Sequence, residues 1–348
     1  MVKEGQRESN FELLRILSMC GIIVAHYINS EIGGAVQEAV FPNFSWLYVH
    51  FISGFCMPLV NCFVLISGFF MISKKTFSLR KTADLLCITA FYGGISYFIS
   101  IAAQSNTWNI REFVYAVIPF WKGARWFVET YIILILLAPF LNKALCSLNK
   151  KAYELLLAIQ ILIFSVWYSV GLSAPVLDDG YGIINFITLY MIGGYLKRYG
   201  GESWLYRQKK WKLLLIYVGM AVVTFLMSYF TNPYGYAYIT NIVGAAAIFT
   251  FFAKWDIGRI RWINGISKAA FDVYFVHSDK NTSLLLMYEL LGAKFIVDTP
   301  WIMLHVIPVI LIVWLLGFCT FKVRKKLFRL SVDKLLDKVR FLNREIEI

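Results

Sequence analysis

The stretch Leu13–Ser30, "LLRILSMCGIIVAHYINS", decides the fold. It is apolar enough to enter a lipid bilayer, yet it carries a fixed positive charge, Arg15, and a titratable imidazole, His26. A helix needs roughly 20 apolar residues to cross the hydrocarbon layer. Ionisable side chains facing lipid are expensive, so the face bearing Arg15 and His26 is expected to turn into a bundle of helices.

Comparable apolar runs recur to Phe321, separated by short charged pieces. Ten are expected, at approximately 13–30, 46–72, 82–103, 124–141, 153–172, 182–196, 211–230, 236–253, 267–291 and 299–321. With 59% apolar residues, 16% charged residues and a mean hydropathy of +0.64, the chain departs far from a soluble globular composition. The expected fold class is all-α, a polytopic transmembrane helix bundle of about ten helices. A domain of residues 1–321 holds the spans, and residues 322–348 form a basic amphipathic tail.

The net charge of +13 raises the question of a nucleic-acid partner. The positions of the basic residues answer it. With the N-terminus cytoplasmic, all 34 lysines and arginines fall on the inner side except intramembrane Arg15 and outer Arg111, Lys122, Arg125, Lys280 and Lys294. This positive-inside pattern places both termini in the cytoplasm of a multi-pass cell-membrane protein and accounts for the charge without nucleic acid. The bilayer is the expected partner of the tail, whose Lys and Arg suit an anionic inner leaflet; a partner-binding helix is the alternative.

The six cysteines show no metal or redox spacing, and no metal is expected. The first run resembles a signal peptide in its charged lead, but no small-x-small cleavage site closes it, so it is read as retained. The longest outer connection, residues 104–123, contains "IREFVYAVIPF", whose aromatics suit a segment lying at the interface or lining a substrate entrance.

Arg15 and His26 are eleven residues apart, about three helical turns with only ~20° of overshoot. They share one face, separated by roughly 16 Å along the axis. Either they meet two ends of one long ligand, or Arg15 snorkels to the headgroups and His26 bonds a neighbouring backbone. Further along, Glu129 is read in mid-membrane in the fourth run, where it is costly unless paired. The ninth run is broken at "HSDKNTS", which makes His277, Asp279 and Asn281 candidates for lining a site, because irregular polar backbone is tolerated only against protein or a wet cavity. His50 and His305 read as structural.

The stretch "NFELLRILSMCGIIVAHYI" resembles the first helix of the acyltransferase-3 family of membrane acyltransferases, whose Arg-x10-His pattern Arg15 and His26 match. "PLVNCFVLISGFFMISKK" (58–75), "ARWFVETYIILILLAPFLNK" (124–143) and "FDVYFVHSDKN" (271–281) are similar to later family elements, in the expected order. One departure is that "FSLRKTADLL" offers Arg80 and Lys81 where many members carry an Arg-x-x-Arg pair. The resemblance implies transfer of an acyl group, usually acetyl from cytoplasmic acetyl-CoA, to a hydroxyl of a surface glycan or glycolipid. On that reading His26 is the general base. Arg15, with Arg80 and Lys81, faces the donor's phosphates or the developing charge. Glu129 orients His26 or neutralises an arginine. Trp126 and Tyr131 join His277, Asp279 and Asn281 along the substrate path. The competing class is a secondary transporter or flippase, which also uses intramembrane charge and a broken helix, although no matching pair of interrupted segments is present. A noncatalytic sensor or assembly subunit is a third class.

Overall fold

In lipid every backbone polar group must be satisfied within its own segment, and the apolar runs accordingly fold as helices. The computed structural model describes residues 8–28, 41, 43–120, 125–172, 178–296 and 299–347. In chain order come α1 (Ser9–Ile28), α2 (Phe44–Met71), the short strand β1 (Thr76–Phe77), α3 (Leu79–Ala102), α4 (Ile110–Val117), α5 (Trp126–Ser147) and α6 (Lys150–Ile161). A π-helical turn, Leu162–Val166, links α6 to α7 (Trp167–Ser169); α8 (Ile183–Tyr199), α9 (Trp204–Arg207), α10 (Lys210–Met227) and α11 (Ile239–Ala253) follow. The last group is α12 (Arg261–Ile266), α13 (Ala270–His277), α14 (Lys280–Ser283), a π-helical stretch Leu284–Leu290, α15 (Ile302–Leu330), α16 (Val332–Lys338) and β2 (Ile346–Glu347).

Among the described residues seven helices are long and apolar enough to cross a membrane: α1, α2, α3, α5, α6 with its continuation to Ser169, α10 and α15. α11 is apolar but shorter. The ninth run is broken, as its polar insert predicts: α13 stops at His277, and Asp279 caps the next turn by accepting from the Thr282 amide at 3.3 Å. The chain is a multi-pass membrane protein. The tail is different from a free strand of basic residues: α15 continues to Leu330, and β2 pairs antiparallel with β1, Thr76 opposite Glu347.

Two compact units divide the chain. The first holds residues 1–22, 50–75 and 137–268; the second holds 23–49, 76–136 and 269–348. In the first, Phe11 centres an aromatic cluster with Phe69, Phe70 and Phe249, ring centres 4.9–5.6 Å apart. α2 and α8 meet backbone to backbone, because a Cβ on Gly68 would stand 2.2 Å from the Tyr190 carbonyl oxygen. Asn142 closes the end of α2, donating to the Met71 carbonyl at 2.7 Å while its oxygen accepts from the Tyr190 hydroxyl at 2.7 Å.

In the second unit a buried polar junction ties three helices. Asp272 of α13, 1% exposed, accepts from Arg324 of α15 at 2.5 and 3.0 Å and from the Tyr92 hydroxyl of α3 at 2.7 Å. Both carboxylate oxygens are engaged by the arginine fork, the geometry in which a buried charge is tolerated. Phe275 stacks on Tyr92 at 4.8 Å, and Gly317 lets α15 approach Val273 closely. α4 is anchored through Tyr97, whose hydroxyl donates to the Asn109 carbonyl at 2.8 Å and accepts from the Asn109 amide at 2.7 Å.

Candidate active site

α1 is unbroken from Ser9 to Ile28, so Arg15 and His26 occupy one helix at the expected spacing. His26 lies in the second unit, where its ring centre is 5.0 Å from that of His277 at the end of α13. The break after α13 is what puts His277 there. His277 is fully buried; its Nδ1 is 2.6 Å from the Val273 carbonyl oxygen, which can only accept, so Nδ1 carries the proton. Nε2 is then a lone pair, buried and without a partner. His26 stands beside it with its own Nδ1 buried and, among the described residues, bare. Two imidazoles thus stand in contact, each with one buried nitrogen that no described group satisfies, and such groups call for an explanation.

The neighbouring residue in α1 fixes the geometry. The Tyr27 hydroxyl is 2.9 Å from His305 Nδ1, and His305 Nε2 is 2.7 Å from the Leu291 carbonyl. Leu291 forces the proton onto Nε2, so Nδ1 accepts from Tyr27 and the His305 ring is fully used as a brace. This agrees with a structural His305. His50 has a comparable contact in the first unit, 2.7 Å from the Tyr234 hydroxyl.

An aromatic path leads away from the histidine pair. Tyr274 lies 6.3 Å from His277 and 5.9 Å from Phe127, and Phe127 contacts Trp126 at 5.6 Å and Tyr131 at 6.1 Å. Trp126 and Tyr131 therefore connect to the pair through Phe127 and Tyr274. Glu129 sits in the first turn of α5, not in mid-span, and its Oε1 accepts from the Phe120 amide at 3.1 Å. Its described bond is to this backbone, and His26 is paired with His277. Asp279 is occupied as the cap of α14. The side chain of Asn281 lies outside the described residues.

Arg15 and Arg80 are held by carboxylates. Arg15 is ion-paired with buried Glu12 one turn earlier. Arg80 opens α3 and is enclosed by carboxylates, with Asp84 at 3.1 Å, Asp333 at 3.7 Å and Asp337 in contact. Asp333 and Asp337 come from α16, so the tail lies on the very arginine expected at the donor's phosphates. Lys81 is exposed.

Residues 8–321 match the acyltransferase domain of the acyltransferase-3 family, nearly the whole chain. The chain belongs to the acyltransferase-3 family. It is a membrane acyltransferase. No curated protein and no solved structure matches it. Within this acyltransferase-3 chain, sequence reasoning missed Tyr274 and Arg125, and it counted Arg324 only as a tail charge. Asp272 carried a visible signal, an acid inside the apolar run "FDVYFVH", which in lipid demands a partner. Arg125 carried little, because an arginine before a span looks like any loop charge.

Proposed function

We propose that the protein is an O-acyltransferase of the cell membrane, moving an acetyl group from cytoplasmic acetyl-CoA to a hydroxyl on a surface glycan or glycolipid. The bare Nδ1 of His26 carries this reading. With the ring proton on Nε2, Nδ1 holds a lone pair where a hydroxyl proton can be received. The acceptor oxygen gives its proton to His26 as it attacks the thioester carbonyl; the C–S bond breaks, and the CoA thiolate is protonated from the imidazolium.

Both termini are cytoplasmic and ten runs cross the membrane in this reading, which brings the acceptor from the outer side. Arg15, Arg80 and Lys81 lie toward the donor. Arg15 exchanges part of its Glu12 contact, and Arg80 part of its tail contact, for phosphate oxygens. His277 lines the acceptor path with Trp126 and Tyr131, and the aromatic rings suit the apolar faces of sugars.

The test supplies labelled acetyl-CoA to vesicles containing the protein, with surface glycan from the same cells. Label on the glycan, abolished by His26→Ala in a protein that still folds, supports the reading. Movement of a solute across the vesicle with no CoA turnover overturns it in favour of transport.

A further inference from the structure

The Arg125 guanidinium is a planar cation with five N–H donors. It is 7% exposed. Among the described residues it has one hydrogen-bond acceptor, the Ala116 carbonyl at 3.3 Å, and no carboxylate ion-paired with it. A partner stands at the right spacing, since Glu129 is four residues on, where helical ion pairs form. That pair is not made: the Glu129 carboxylate turns to the Phe120 amide instead. Arg125 also opens α5, its carbonyl accepting from the Glu129 amide at 3.1 Å, which sets the cation at the positive end of the helix dipole. Two positive contributions coincide at a largely buried side chain, an arrangement suited to an anion.

The location connects to the histidine pair. Tyr274 is within electrostatic reach of both Arg125 and Glu129, its ring is 6.3 Å from His277, and His277 is 5.0 Å from His26. We propose that Arg125 holds an anionic substituent, a carboxylate or a phosphate, of the acceptor that His26 deprotonates. The acceptor is then an acidic sugar and not a neutral one. Identifying this anion with the acceptor rests on the acyl-transfer reading and its topology, in which Arg125 is on the outer side, away from the donor's phosphates. Two ring-to-ring steps separate the guanidinium from His26, so it grips a substituent and not the reacting oxygen. Arg125 is a specificity determinant.

The test is thermal unfolding of the full chain in detergent, titrated separately with glucuronate, glucose 6-phosphate, glucose and CoA. At least one of the two anionic sugars raises the unfolding temperature and glucose does not. Arg125→Gln weakens the anionic sugar at least about 10-fold, and Arg125→Lys weakens it less. Ligand-free Arg125→Met unfolds at a higher temperature than the wild type, because an uncompensated buried charge has been removed. A lower temperature for Arg125→Met marks a structural arginine and overturns the proposal. So does protection by neither anionic sugar, equal protection of Arg125→Gln, or loss of CoA protection alone. Binding is read without turnover, so absence of acyl transfer in the vesicle assay counts against the enzyme reading and leaves the anion site standing.

Discussion

His26 and His277 present one bare nitrogen each from rings 5.0 Å apart, one on α1 and the other at the broken end of α13. Among the described residues no group satisfies either nitrogen, and in the proposed reaction His26 is the base. Replacing His26 with Ala lowers acyl transfer by about 100- to 10,000-fold, the span removed with a general base. The unfolding temperature stays near that of the wild type. Measuring both on one preparation checks it, and a collapse of folding with the loss of activity contradicts it.

The Asp272–Arg324 junction behaves in the opposite way. Asp272→Asn leaves the arginine fork buried without its charge partner and destabilises the second unit by about 3–5 kcal/mol. Replacing both partners, Asp272→Leu with Arg324→Met, recovers most of that stability. Thermal unfolding of the three proteins reads it, and additive losses in the double variant are the contrary result.

Helix contact is tested at two glycines. Gly68→Ala pushes a Cβ to 2.2 Å from the Tyr190 carbonyl, a backbone atom with no rotamer to yield, and costs about 1–3 kcal/mol. Gly219→Ala, on α10, meets nothing within 4 Å and is neutral or stabilising by up to about 1 kcal/mol. The difference between the two unfolding temperatures is the measurement.

Arg80 gives a prediction for the donor side. Asp333→Asn with Asp337→Asn removes two exposed carboxylates from the guanidinium and strengthens CoA binding about twofold to fivefold, the range expected of surface ion pairs. The gain fades at high salt. Equilibrium binding of CoA at low and high ionic strength checks both parts, and unchanged affinity at low salt contradicts the placement of phosphates at Arg80.

Much of the fold was legible because lipid imposes a simple rule. Apolar length reads as helix, and a polar insert such as "HSDKNTS" reads as a break. The same rule pointed to His26 and His277 separately. Their meeting was not legible, since contact between α1 and α13 depends on long-range packing. Glu129 was read in mid-span, and not in the first turn, because the start of α5 is blurred by the aromatic, apolar residues around it. Arg125 was lost for a related reason: sequence shows that a charge exists, and only the structure shows that the carboxylate four residues on accepts from the Phe120 amide. The tail's basic count likewise hid its acids, whose pairing with Arg80 requires α16 to turn back.

That turning back separates local from total charge. Residues 331–348 hold Lys334, Lys338, Arg340 and Arg344 against Asp333, Asp337, Glu345 and Glu347. Cutting them away leaves the formal net charge where it was, yet it strips the two α16 carboxylates from Arg80 and bares the entrance of α3. A titration curve of the whole protein near neutral pH would barely register the loss. An anion arriving at the start of α3 would meet a different surface.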